Sequence, residues 1–155
     1  MFPRSRTRPV SRRPRRGAAV LETALILNVL LLGILGVFEY GRIVMLRQLM
    51  ENAAREGARL AVVGTASTPE VTTAQIQACV VSYMAGQSIS NLSVSVYQAN
   101  PATGANIGSW DQAPYGGAIA VKITATYRPI VPTTFGIVPN PLPMTIVSMM
   151  LSEAN

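Results

Sequence analysis

Residues Ala18 to Phe38 read AAVLETALILNVLLLGILGVF, and Glu22 is the only charged residue among them. Sixteen of these 21 positions are Ala, Val, Leu, Ile or Phe, which leaves no polar face wide enough for a soluble core helix. At about 1.5 Å per residue such a helix is roughly 32 Å long, close to the ~30 Å hydrocarbon core of a bilayer. The stretch predicts one transmembrane helix near the N-terminus. Gly33 and Gly36 are the small residues near its end, but they stand three apart and inside the run. That is not a signal-peptidase site, so the segment is expected to stay as an anchor.

Upstream lies a basic arm. Arg4, Arg6, Arg8, Arg12, Arg13, Arg15 and Arg16 fall within the first 17 residues together with Pro3, Pro9 and Pro14, and with no acid. Proline and like-charge repulsion oppose a helix there, which predicts a disordered segment. A nucleic-acid arm, a solvated tail and a topology signal are the three readings. No aromatic residues interleave with the arginines for base stacking, and cations directly before an apolar span hold that end in the cytoplasm. The chain beyond residue 40 is therefore expected outside the cytoplasm, as an extracytoplasmic domain on an inner-membrane anchor, and nucleic acid is not an expected partner.

The whole chain has 155 residues, a formal charge of +6 and a pI near 10.3. Residues 18 to 155 hold six basic and seven acidic groups, so the basicity belongs to the arm. The chain has no His and a single Cys, Cys79. The usual general base, the commonest metal ligand, a thiolate zinc site and a disulfide scaffold are all missing. No enzyme, metal or cofactor is expected, and the isolated carboxylates Glu70 and Asp111 take no catalytic role. Cys79 reads as a small buried hydrophobe or as one half of an intermolecular disulfide.

A carboxylate inside an apolar span is costly and asks for a partner. Cutting after Gly17 would place a new amine on Ala18, and Ala18 and Glu22 stand at i and i+4 on one helix face. The carboxylate could equally serve a neighbouring helix, or snorkel to the headgroups. Beyond Phe38 the pattern becomes amphipathic. Ile43, Leu46, Leu49, Met50, Ala53, Gly57, Leu60 and Ala61 form one stripe, while Arg47, Glu51, Arg55 and Arg59 ride the opposite face. Ala53 and Gly57 are small enough for a sheet or helix to approach closely. Within the span, Gly33, Gly36 and Tyr40 share a face with Glu22 and form a candidate packing face.

Residues 15 to 64, RRGAAVLETALILNVLLLGILGVFEYGRIVMLRQLMENAAREGARLAVVG, resemble the amino-terminal region of TadE-like pseudopilins of the tight-adherence (Tad) pilus system. The basic leader ending in Gly17, Glu22 five residues on, the helix closing in Phe38, Glu39, Tyr40, Gly41 and Arg42, and the segment NAAREGAR at Asn52 to Arg59 carry the likeness. The resemblance implies cleavage between Gly17 and Ala18 by a prepilin peptidase, with Glu22 recognised or used in assembly. It implies as partners other pilins and the Tad machinery. One departure is Thr23, where many members carry an aromatic residue.

Residues 64 to 155 read as a small exported α+β domain with a helix over about Val71 to Ala85 and a roughly three-stranded antiparallel sheet. Leu92 to Tyr97 and Ile119 to Arg128 alternate and are one-sided. Met144 to Leu151 is apolar on both faces, which predicts a central strand or one covered by a partner. Trp110 and Tyr115, in the irregular stretch Asn100 to Gly117, are a candidate contact surface, with packing over the sheet as the other use of Trp110. The expected function is a structural minor pilin assembled through its helix, with a membrane-anchored binding module that never polymerises as the alternative.

Overall fold

The structure is a computed structural model that describes residues 16–64, 71–87, 89–129 and 141–152. The basic arm up to residue 15, Thr65 to Pro69, Glu70 and most of the proline-rich stretch from Pro129 to Pro143 lie outside the described residues. The chain divides into two units, Met1–Val37 and Phe38–Asn155. Helix α1, Arg16–Val63, runs through both, and is followed by α2 (Thr73–Tyr83) and the strands β1 (Ile89–Ala99), β2 (Asn106–Gly108), β3 (Ala118–Tyr127) and β4 (Leu142–Leu151). This is a pilin-like α+β arrangement: a long N-terminal apolar helix, a second short helix and an antiparallel sheet in the order β2-β1-β3-β4.

In the second unit the amphipathic part of α1 buries Leu46, Met50, Ala53, Ala54, Ala58 and Ala61 in one core. The buried stripe is broader than the sequence pattern, because Ala54 and Ala58 join it. Ile76, Val80 and Met84 of α2 enter the same core, as do Ile119, Val121, Ile123, Ala125 and Tyr127 of β3. Alternation explains β3, since residues two apart share a face. Helix α2 starts at a capping box: Gln75 N–H donates to Thr72 Oγ1 at 3.3 Å, and Thr72 N–H donates to Gln75 Oε1 at 2.7 Å. Thr72 N–H is thereby satisfied, and Gln75 N–H, which also donates to the Thr72 carbonyl at 3.0 Å, gains a second acceptor.

Among the described residues the sheet has four strands rather than the three expected. The additional strand, β2, pairs with β1 only at Gln98 and Ala99. Its three residues are all exposed, so no hydrophobic alternation marks it. Strand β1 begins at Ile89, three residues before the alternating pattern starts. Asn91, at φ 54°, sits in a bulge between Ser90 and Ser93 that interrupts the period of two. Strand β4 is not central. It pairs with β3 in unbroken register from Ala118↔Leu151 to Tyr127↔Leu142 and, among the described residues, forms the edge of the sheet. Its inner residues meet the core, while Val147, Met149 and Leu151 are exposed on the outer face.

Candidate functional site

From Gly17 to Phe38 almost every residue of α1 is exposed, including Leu21, Leu25, Val29, Ile34 and Phe38. The helix is long and apolar enough to cross a membrane once, and its most apolar window is wholly unburied. An apolar helix left bare by its own chain requires lipid or other helices around it. Helix α1 starts at Arg16, so Gly17 and Ala18 lie exposed in its first turn. Glu22 is exposed as well. The neighbouring Thr23 donates its hydroxyl to the Ala19 carbonyl at 2.9 Å, which satisfies the hydroxyl inside the helix. A Cβ added to Gly33 or Gly36 would meet nothing within 4 Å. With exposed Tyr40, these glycines make a shallow open lane on the helix.

At the start of the second unit the character of α1 changes. Glu39 is only 5% exposed and accepts a hydrogen bond from the Tyr127 hydroxyl, 88 residues further along the chain. Tyr127 is 2% exposed at the end of β3. The Arg42 guanidinium lies 5.6 Å from the Tyr127 ring centre, in cation–π range. Among the described residues, Arg42 Nη1 is buried without a hydrogen-bond partner. The Tyr127 hydroxyl is pushed up to about 12, first by burial, then by its bond to Glu39 and the Glu39 charge, with Arg42 opposing the rise. Tyr127 therefore stays a neutral donor to a buried carboxylate across the physiological range. The sequence reading placed Glu39 and Arg42 in the motif that closes the apolar helix and Tyr127 on one face of an alternating strand, but did not bring them together.

Ala53 and Gly57 occupy the contact between α1 and the rest of the domain. A Cβ on Gly57 would stand 2.7 Å from Val80 Cγ2 and 3.4 Å from Val121 Cγ1. Trp110 is a core residue rather than a contact anchor. It is 4% exposed, its Nε1–H donates to Thr73 Oγ1 at 2.8 Å, and its ring lies 3.2 Å from where a Gly64 Cβ would stand. A glycine next to the ring and a hydroxyl within reach of its nitrogen accommodate the indole inside. Tyr115, by contrast, is 76% exposed. Cys79 is half-buried and free. Among the described residues no cluster of three or more His, Cys, Asp or Glu could hold a metal ion.

A bare apolar helix whose second half packs into a small α+β domain is a pilin-like arrangement, compatible with single-pass membrane anchoring. Residues 17–59 match the model of the TadE-like protein family, so the chain carries a TadE-like protein family domain over that stretch. No curated protein and no solved structure matches the chain.

Proposed function

We propose that this chain is a minor pilin or pseudopilin of a Tad-type pilus, cleaved between Gly17 and Ala18 by a prepilin peptidase and assembled through α1. One observation carries the reading: the TadE-like stretch is also the stretch in which an unburied apolar helix passes into an amphipathic one gripped by its own domain. Its N-terminus lies in the cytoplasm, its span in the bacterial inner membrane, and its α+β domain outside, where it contributes to surface adherence. The bilayer stores the helix before assembly. Extraction exchanges lipid contacts for contacts with equivalent helices, and the Ala18 amine pairs with Glu22 on the same or a neighbouring helix. This chemistry is physical rather than catalytic, as expected of a TadE-like pilus component.

Intact-mass measurement of protein purified from membranes should show loss of the first 17 residues. An uncut Met1 terminus in a host with active prepilin peptidase would overturn the pilin reading and favour an anchored binding module. Replacing Glu22 by Gln or Ala should abolish or sharply reduce assembly while membrane insertion is retained. Normal piliation by either variant would reduce Glu22 to a carboxylate that snorkels.

A further inference from the structure

The two edges of the sheet are treated differently. Along β1, the edge is occupied by β2 at Gln98 and Ala99, bulged at Asn91, and capped where Gln77 Nε2 donates to the Val94 carbonyl at 3.0 Å. Such devices blunt an edge against unwanted pairing. Strand β4 has none of them along its central residues. Its ten residues, LPMTIVSMML, carry no charge, its register with β3 has no bulge, and its one proline is confined to the second position. Among the described residues no strand pairs with its outer edge. A regular, uncharged edge of this length is a template for another strand.

An open groove of about 400 Å³ runs beside this edge, with Thr145 to Ser148 on one wall and Arg47, Glu51 and Arg55 of α1 on the other. Arg47 Nε lies 3.4 Å and Arg55 Nη2 3.9 Å from the Glu51 carboxylate. One carboxylate thus serves two guanidiniums, and the helical wall has one positive charge in excess. We infer that the groove binds an extended segment of another protein, which adds a strand to β4 and turns an acidic side chain towards Arg47 and Arg55. Backbone hydrogen bonds to the edge supply sequence-independent binding, and the arginine pair selects the register and the acid. A second copy of β4 brings no charge to this wall, so it does not complete the pairing. The inference does not depend on the pilus reading.

The test uses the full chain in detergent micelles and a blocked hexapeptide probe of alternating Val and Thr with one central Glu. Saturable binding is expected, with slowed amide hydrogen exchange across Thr145 to Ser148. Changing the probe Glu to Lys, or making the exposed pair Arg47→Ala and Arg55→Ala, should weaken binding roughly three- to fivefold. A probe N-methylated along its pairing edge should not protect those amides. Equal binding of the Glu and Lys probes, or equal binding of the N-methylated probe, would overturn the assignment. So would protection of the β4 amides that rises with protein concentration and no probe present, because the occupant would then be a second copy.

Discussion

Glu39→Ala is expected to destabilise the α+β domain by about 3 kcal/mol, since removing one member of a buried hydrogen-bonded charge cluster strands the others. The loss has two parts. The Tyr127 hydroxyl, buried at the end of β3, loses the carboxylate it donates to. The Arg42 guanidinium, which lies against the same Tyr127 ring and has one buried nitrogen without a hydrogen-bond partner among the described residues, is left in a cluster that no longer holds a negative charge. Glu39→Gln keeps an acceptor for Tyr127 and should cost less, about 1–2 kcal/mol, so the pair of variants separates the lost hydrogen bond from the lost charge. Chemical denaturation of the detergent-solubilised protein, followed by near-ultraviolet circular dichroism, measures both. Equal stability of Glu39→Ala and the unmodified protein would show that the cluster does not bind the domain to α1.

The same cluster makes an alkaline prediction. Tyr127 ionises near 12 in the folded protein instead of at its ordinary 10.0. Its folded value is raised, so the contribution to stability is complete below pH 10 and is lost as pH rises through 12. Two units of displacement correspond to at most about 3 kcal/mol. Phenolate absorbance should therefore contain a component with a midpoint near 12 that disappears in Tyr127→Phe. That component should move to lower pH in Glu39→Gln, which removes the negative charge while keeping an acceptor.

The long helix was legible because its signal is local: sixteen apolar residues in 21 positions, followed by a 3.6-residue stripe, need no partner to be recognised. Strands β1, β3 and β4 were legible from runs of β-formers, which is why their existence was easier to read than their order. A strand such as β2, Asn-Ile-Gly with every residue exposed, has no pattern to read. Its existence depends on the turn at Asn100, whose side chain accepts from Ala102 N–H at 2.9 Å and whose backbone N–H donates to Ala105 at 2.8 Å. The cap of α2 was present as Thr72-x-x-Gln75 and could have been found as a capping-box spacing. The pairing of Glu39 with Tyr127 has no such local trace: alternation puts Tyr127 on the inner face of its strand, but glutamate is usually exposed and 88 residues separate the two. Trp110 was ambiguous for a related reason: whether an indole is an anchor or a core residue depends on what receives its N–H, and Thr73 is remote in sequence.

Gly57→Val should destabilise the domain by about 3 kcal/mol, although an isolated helix would favour the exchange of glycine for a residue with a side chain. The new Cβ alone would stand 2.7 Å from Val80 Cγ2, closer than two carbon atoms can pack. Val80 cannot yield easily, because a β-branched side chain in a helix has one strongly preferred rotamer and Val80 is fully buried. Behind it Val121 and Ile76 stand 3.4 and 3.7 Å from the same point, so the added methyls find β3 on one side and α2 on the other. Gly57→Ala should show the two opposing effects most clearly: helix propensity favours it by up to about 1 kcal/mol, and overpacking opposes it by about 1–3 kcal/mol. Val80→Ala removes the nearest obstacle. In the double variant Gly57→Ala with Val80→Ala, the penalty of the first substitution should shrink or change sign, giving a coupling of about 1 kcal/mol or more. Additive effects in that cycle would mean that α2 is not seated on Gly57. A selective loss of stability in Gly57→Val, with the apolar half of α1 still inserting into membranes, would locate the effect in the grip of the domain on its helix rather than in the helix itself.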